Sequence, residues 1–395
     1  MRIIIGPPAK GEDFWDRAEE LDKIWSAIET NSILLTAPRR FGKTSIMQRM
    51  ENQPKTGWDV LYFDVEKFSN PQEFIAEIGT IFLQRKKLAN SIKLVKEFFG
   101  KSAHRIELGY AEFKLSFKQV LEEDWQKKGE QLFNYFQHVS KKTIIIIDEL
   151  PMMMDAMQKK SGNGDTRDFL GWLRSMRQMP ALQEKIRWVT GGSIGIDKVL
   201  LRIGCGVKAI NDLERISIRE LSPISARGFA KALLSSELSS VEIHDTAVEE
   251  ILEIIGVPIP YFIQVLVREC VNEMKRTKTS TLSQEVIRVA YKCVLEASQS
   301  YFRYYYDRLE SYYEPMVERV AKAILTEVAR NEQVSCDDLR KLFELHISGK
   351  ADFSAFSDML TELENDFYLT TRDSGKSFSF ATKVLRDWWL RYHAR

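Results

Sequence analysis

The sequence predicts an α/β fold: a parallel sheet with helices on both faces, followed by a helical region and a C-terminal winged helix. Three observations predict it. The apolar run Ile33–Leu35 feeds a loop ending in Gly42-Lys43-Thr44 and then a helix. The isoleucines Ile144–Ile147 make a strand buried on both faces, and it ends in Asp148-Glu149. Beyond Pro223 the strand pattern stops and helical periodicity takes over.

The loop carries the most chemistry. Ala37-Pro38-Arg39-Arg40-Phe41-Gly42-Lys43-Thr44 fits G-x-x-x-x-G-K-S/T, with Ala37 where the first Gly is usual. Gly42 lets backbone N–H groups approach phosphates, Lys43 offers a point charge to the β- and γ-phosphates, and Thr44 offers a hydroxyl to Mg²⁺. The helix Thr44 to Met50 turns its positive N-terminus toward the anion. Ala37 weakens the match, since Ala resists positive φ.

The isoleucine strand ends where ligands of open α/β sheets bind. There Asp148 would hold Mg²⁺ through water, and Glu149 would orient and deprotonate an attacking water. A core strand ending in a solvated acidic turn is the bland alternative. Downstream of a phosphate loop, the pair points to an ATP-hydrolysing site.

The remaining elements alternate in the same way. Phe14 to Glu29 reads as a helix, Val60 to Val65 as the second strand, and Pro71 to Leu83 as an amphipathic helix with Pro at its first turn. Residues 84–125 form a basic insertion with a strand pair expected at Arg105–Leu108 and Glu112–Phe117. A helix at Gln126–Val139 leads to the third strand. Thr166–Gln178 is helical, and Lys185–Thr190 and Glu214–Ile218 complete five strands.

Helices are expected at Ser225–Leu234, Asp245–Ile255, Tyr261–Met274 and Ser283–Ser298. An aromatic stretch then runs from Tyr301 to Tyr313 and reads as a packed linker helix. Helices at Pro315–Arg330, Cys336–Leu345 and Phe353–Phe367, strands at Tyr368–Thr371 and Ser377–Ala381, and a helix at Lys383–Tyr392 follow in winged-helix order. The expected domains are 1–222, 223–300 and 301–395.

Composition narrows the class. The 395 residues allow two or three domains and a large core. A net charge of +1 supplies no global field toward nucleic acid or membrane, so any nucleic-acid surface has to be local. The four cysteines, Cys205, Cys270, Cys293 and Cys336, lie far apart and read as reduced core thiols. No apolar run is long enough to span a bilayer, and Met1–Pro8 is too short in its apolar part for a secretory signal. A cytoplasmic protein is expected.

With these pieces placed, the chain resembles an archaeal/bacterial ATPase of the STAND group, the signal-transduction branch of AAA+-related P-loop ATPases. Phe14-Trp15-Asp16-Arg17-Ala18-Glu19-Glu20 is similar to that group's entry motif h-h-G-R-E-x-E, with Arg17 and Glu20 matching. Pro38 to Ser45 is the group's usual loop, Asp148-Glu149-Leu150-Pro151 its acidic strand end, and Trp188 to Ser193 its fourth-strand end. Pro258-Ile259-Pro260-Tyr261 resembles the G-x-P turn of a helical lid, with Pro260 the matching residue.

The resemblance implies a sheet order of 5-1-4-3-2 and an ATP and Mg²⁺ site built from Ala37 to Ser45, with the metal on Thr44 and Asp148. It further implies Glu149 as base, Thr190 or Ser193 as the phosphate sensor, and Arg17 with Pro260 bordering the base or lid. No Arg follows the fourth strand directly. Arg167, Arg174 and Arg177 on the preceding helix could act as a finger on a neighbour's γ-phosphate, which implies a homo-oligomer. The alternative is a solvated basic helix face. Asp64 and Glu66 are further acids at a strand end.

The expected recognition helix of the winged helix, Phe353–Asp366, holds Asp358, Glu362, Glu364 and Asp366 and no base. Such a helix repels a DNA backbone. Lys376, Lys383, Arg386, Arg391 and Arg395 could still touch phosphates. A protein partner is favoured over DNA. Trp388-Trp389 is expected to anchor the last helix in the core. The function expected is a slow, Mg²⁺-dependent ATPase that switches conformation with ATP and ADP. The alternatives are a DNA-binding ATPase related to replication initiators or transposition regulators, and a scaffold that binds nucleotide without hydrolysis.

Overall fold

The structure is a computed structural model that describes residues 1–85, 114, 118–119, 121–122, 124–138, 141–193, 196–239, 241–347 and 353–394. Of the strand pair expected at 105–108 and 112–117, Lys114 alone is among the described residues, and it is helical, against the second expected strand; the rest lies outside them, as does Arg395. The chain forms two compact units. One comprises Arg17–Ala37 and Lys43–Ile218, and the other comprises Met1–Asp16, Pro38–Gly42 and Arg219–Arg395.

The first unit is built on strands β1 (Ser32–Ala37), β2 (Trp58–Asp64), β3 (Lys142–Asp148), β4 (Ile186–Ser193) and β5 (Leu213–Ser217). All are parallel, in the order β2-β3-β4-β1-β5, which from the other edge is 5-1-4-3-2 as expected. Ile144, Ile145, Ile146 and Ile147 of β3 are fully buried, as an interior strand covered on both faces requires. Parallel pairing puts all C-terminal strand ends at one edge. There Asp64 pairs with Asp148, Ile147 with Thr190, and Ala37 with Ser193.

Helices α1 (Ala18–Ile28), α2 (Lys43–Asn52), α3 (Pro71–Arg85), α4 (Trp125–Asn134), α5 (Leu150–Gln178), α6 (Pro180–Gln183) and α7 (Ile196–Arg202) belong to the same unit. At the start of α3, Asn70 Oδ1 accepts from the Glu73 N–H at 2.9 Å, and Glu73 Oε2 accepts from the Ser69 N–H at 3.0 Å, a reciprocal cap. Helix α5 runs far longer than the Thr166–Gln178 segment predicted. It begins at Leu150 and kinks at Gly162, where φ is 85°. The polar, Gly-containing stretch 159–164 hides it from a periodicity reading.

The second unit carries α8 (Pro223–Glu237), α9 (Asp245–Ile255), α10 (Pro260–Thr277), α11 (Gln284–Ala297) and α12 (Gln299–Tyr312). The chain continues through α13 (Pro315–Asn331), β6 (Gln333–Ser335), α14 (Cys336–His346), α15 (Phe353–Asn365), β7 (Leu369–Arg372), β8 (Ser377–Phe380) and α16 (Lys383–Tyr392). The last strands form an antiparallel sheet in the order β6-β8-β7. Strand β6, three residues long, is too short for side-chain alternation to reveal it in the sequence.

The predicted helix at Phe14–Glu29 starts late. Asp16 has φ 35°, and Phe14 to Asp16 belong to the second unit. There the Trp15 indole Nε1 donates to Ser225 O and Oγ at 3.1 Å, and its ring packs 5.7 Å from Phe229.

The aromatic stretch is packed, with Tyr301, Phe302 and Tyr305 buried. Phe302 stacks on Phe262 at 5.5 Å, and the Tyr368 hydroxyl donates to Tyr305 O at 2.7 Å. Arg308 of α12 and Asp366, just beyond α15, form a buried ion pair at 2.7 Å. Trp388 and Trp389 are buried, with Trp389 Nε1 donating to Thr326 Oγ1 at 3.1 Å. The cysteines are free. Cys270 is buried and Cys205 packs, half-buried, against the core of the sheet unit, so the core reading fails for Cys293 and Cys336, which are half-buried. Among the described residues no helix is long and apolar enough to cross a membrane.

Candidate nucleotide site

Ala37 is the last residue of β1, and its backbone is not in the positive-φ region. The missing glycine therefore costs nothing here, contrary to the expectation that Ala would resist this turn. The left-handed residues of the loop are Arg40, at φ 73°, and Gly42, at φ 95°. Around Gly42 there is open space where a side chain would stand. Only Gly adopts that backbone freely while leaving room for an anion.

Lys43 opens α2, and its side chain is buried against the end of β3. Its Nζ reaches Asp148 Oδ1 and lies 3.2 Å from Glu149 Oε1. Thr44 Oγ1 donates to Asp148 Oδ2 at 2.7 Å. The Glu149 N–H donates to Asp148 Oδ1 at 3.1 Å, and the Tyr62 hydroxyl donates to Asp148 Oδ2 at 3.1 Å.

Burial is the largest influence on Asp148 and pushes its pKa up. Lys43, Thr44 and Tyr62 together outweigh it, so the carboxylate is held below its ordinary value. Burial likewise pulls Lys43 down, and the charges of Asp148 and Glu149 reverse the sign, holding the ammonium above its ordinary value. Tyr62 is pushed well up, by burial first and then by the Asp148 charge, so its phenol stays a donor.

Glu149 sits at φ 59°, ψ 35°, left-handed, between β3 and α5. This turn aims a second carboxylate at Lys43 from the residue after Asp148. Thr190 is buried on β4, and its Oγ1 has no hydrogen-bond partner among the described residues. A buried hydroxyl without a partner suits a group that meets a ligand. Ser193 ends β4, and its side chain lies outside the described residues. Ser45 is half-buried in the first turn of α2.

Other expected site residues do different work. The Arg39 guanidinium lies 4.0 Å over the Tyr304 ring, and the Tyr301 hydroxyl donates to Arg39 O at 3.3 Å. Arg40 lies 4.9 Å over Tyr261, and its Nη1 donates to Gly6 O at 3.0 Å. Phe41 is buried edge-on to Phe367 at 5.1 Å. Between Pro38 and Gly42 it is thus the backbone that remains for a phosphate.

Arg17 is buried and pairs with Glu20 at 2.5 Å in the sheet unit, while Pro260 is the first residue of α10 in the other. Arg177 is not a finger. It is buried, forked onto Asp212 at 2.8 and 2.9 Å, and donates to Ala209 O at 2.6 Å. Arg167 is exposed and Arg174 half-buried. Asp64 and Glu66 are exposed at the end of β2, and Asp64 Oδ1 accepts the Glu66 N–H at 3.0 Å.

Sequence reading missed Tyr62 and the glycines of β4. A side chain at Gly191 would clash with Met47 Cε and stand 3.1 Å from Asp148 Oδ1, and one at Gly192 would meet Pro151 at 2.5 Å. The adjacent Gly191-Gly192 at a strand end was the available signal.

No protein-family model and no curated protein matches this sequence. Among solved structures, the chain is similar to the Walker-type ATPase of Pyrococcus abyssi. The TM-score is 0.67 and the identity 16%, covering 98% of this chain and 99% of that one. It is also similar to the ORC2 protein of Aeropyrum pernix, in its ADPNP-ADP complexes, with a TM-score of 0.53 and 11% identity over 99% and 97% of the two chains. The β2-β3-β4-β1-β5 sheet, the loop before α2 and these full-length likenesses together show that the chain has the fold of a P-loop ATPase.

Proposed function

We propose that this protein is an ATP-binding, Mg²⁺-dependent ATPase of the STAND type that works as a nucleotide-driven conformational switch. In this reading residues 1–222 are the ATPase core, 223–300 the lid, and 301–395 a linker helix and winged helix. The donor set fits the nucleotide and the metal. Lys43 supplies the phosphate charge, Thr44 and Asp148 hold the cation, Thr190 offers its unpartnered hydroxyl, and Glu149 takes the proton from water. Mg²⁺ there would neutralise charge on the β- and γ-phosphates.

The observation that carries the switch is the packing of Arg39, Arg40 and Phe41 on Tyr304, Tyr261 and Phe367. These loop residues belong to the C-terminal unit, so a phosphate bound by the loop backbone acts on residues that α10, α12 and the segment after α15 hold.

The ORC2 likeness favours a second reading, a replication-initiator-like ATPase on DNA. The acids at 353–366 oppose a DNA backbone less than their number suggests. Of the four acids, Asp366 is buried with Arg308, Glu362 and Glu364 are half-buried, and Asp358 is exposed. The bases are also engaged, however. Lys383 pairs with Asp387, Arg386 with Glu332, and Arg391 with Glu296. Lys376 in the β7–β8 turn is exposed. Among the described residues these surface pairs compete with phosphate contacts, which favours a protein partner over DNA.

The test is calorimetric titration of the full chain with a non-hydrolysable ATP analogue and Mg²⁺, beside a duplex-DNA titration across a salt series. Nucleotide binding with DNA binding lost by physiological salt is expected. Absence of nucleotide binding overturns the reading, and tight DNA binding at that salt promotes the second one.

A further inference from the structure

We propose that Tyr62 is the positioning residue of the divalent-cation site, holding the Asp148 carboxylate in the orientation that presents it beside Thr44. The proposal rests on the nucleotide-binding reading above. Strand β2 pairs with β3 so that Asp64 stands opposite Asp148, and Tyr62 lies two residues earlier on the same face. That diagonal offset is one an aromatic side chain can bridge. The Tyr62 hydroxyl does bridge it, donating to Asp148 Oδ2 at 3.1 Å.

An ionised carboxylate has about four acceptor directions, and here four donors fill them. Oδ1 takes Lys43 Nζ and the Glu149 N–H, and Oδ2 takes Thr44 Oγ1 and the Tyr62 hydroxyl. Thr44 donates its proton to Oδ2 and so keeps its lone pairs for a cation. Lys43 and Thr44 both have roles at a phosphate or metal. Tyr62 is the side-chain donor to Asp148 without such a role, so its bond holds the carboxylate when Lys43 turns to a phosphate.

The backbone fixes Tyr62 as well. Its N–H points away from β3 at the sheet edge and donates to Glu51 Oε1 of α2 at 3.2 Å. The helix that begins with Lys43 and Thr44 thus also anchors the residue that orients their carboxylate. A half-buried strand position would accept Phe equally well for packing, so the hydroxyl is the distinguishing group.

The test titrates a fluorescent ATP analogue into the full chain, in EDTA and at stepped Mg²⁺, for the parent, Tyr62→Phe and Tyr62→Gln. Loss of a partner that orients a metal ligand typically costs about 10- to 100-fold in metal affinity. Tyr62→Phe is expected to raise the Mg²⁺ concentration for half-maximal tightening by that factor, with affinity in EDTA within about twofold of the parent. The Tyr62→Gln amide is polar but too short to reach Asp148, so it is expected to show the same loss as Tyr62→Phe. A parent-like Mg²⁺ dependence in folded Tyr62→Phe overturns the proposal, as does an equal fall with and without Mg²⁺. A parent that binds no nucleotide overturns the functional reading itself, a separate outcome.

Discussion

Lys43 and Asp148 are 105 residues apart in sequence and form a buried ion pair between the start of α2 and the end of β3. Each charge is kept in its ionised form by the other against the cost of burial.

Lys43→Met removes one partner of a buried pair, a change that typically costs about 3–5 kcal/mol. The donors from Thr44, Tyr62 and the Glu149 amide remain on Asp148 and hold the loss to the lower end. Asp148, depressed in the folded state, contributes stability above its unfolded value near 3.8, and that contribution disappears as pH falls through the folded value. Lys43, raised in the folded state, contributes below its unfolded value near 10.5 and loses the contribution as pH rises through the folded value. The gap in denaturation midpoint between parent and variant is therefore widest between these limits and narrows on both sides. Urea titrations across pH check it, and nucleotide affinity falls in the same variant.

Glu149 combines a catalytic assignment with a left-handed backbone. Glu149→Gln keeps the shape and loses the base, so turnover should fall about 10²–10⁴-fold with nucleotide binding retained. Glu149→Gly should be more stable than Glu149→Ala by about 1 kcal/mol, because Gly carries no left-handed penalty. Equal stability of Gly and Ala would show that the φ of 59° is not retained in solution.

Gly191→Ala forces a methyl against Met47 Cε and Asp148 Oδ1. Overpacking of this kind costs about 1–3 kcal/mol. Met47 is itself buried, so Met47→Ala alone is destabilising. Because the nearest clash is with the end of that Met side chain, the double variant should lose less than the sum of the two single losses. Thermal melts of the single and double variants decide it.

Tyr304→Leu removes the ring beneath Arg39. A cation–π contact of about 0.5–1 kcal/mol translates into a two- to fivefold change in basal turnover or nucleotide affinity if the loop reports to the C-terminal unit. Identical values in a folded variant would detach the loop from the switch. A point substitution is the better test than deletion of 301–395. That deletion would strip Phe302 from Phe262 and expose the buried face of α10.

What the sequence determined by itself is what local pattern encodes. The isoleucine run, the Gly-Lys-Thr loop and the Pro and Gly breaks set the strands of the sheet and their order along the chain, and they place Lys43, Thr44, Asp148 and Glu149 at element ends. Periodicity and turn chemistry are near-neighbour properties, so they survive in one dimension. Tertiary structure alone decided what those residues face. Register between β2 and β3 gave Asp148 its Tyr62 hydroxyl. Packing of α2 and α5 against β4 made Gly191 and Gly192 necessary. Folding of distant segments spent Arg177 on Asp212 and turned Arg39, Arg40 and Phe41 onto aromatic rings more than 200 residues away in sequence. Each of these depends on which surfaces meet across long stretches of chain, and a contact of that kind leaves no periodic trace in the residues that make it.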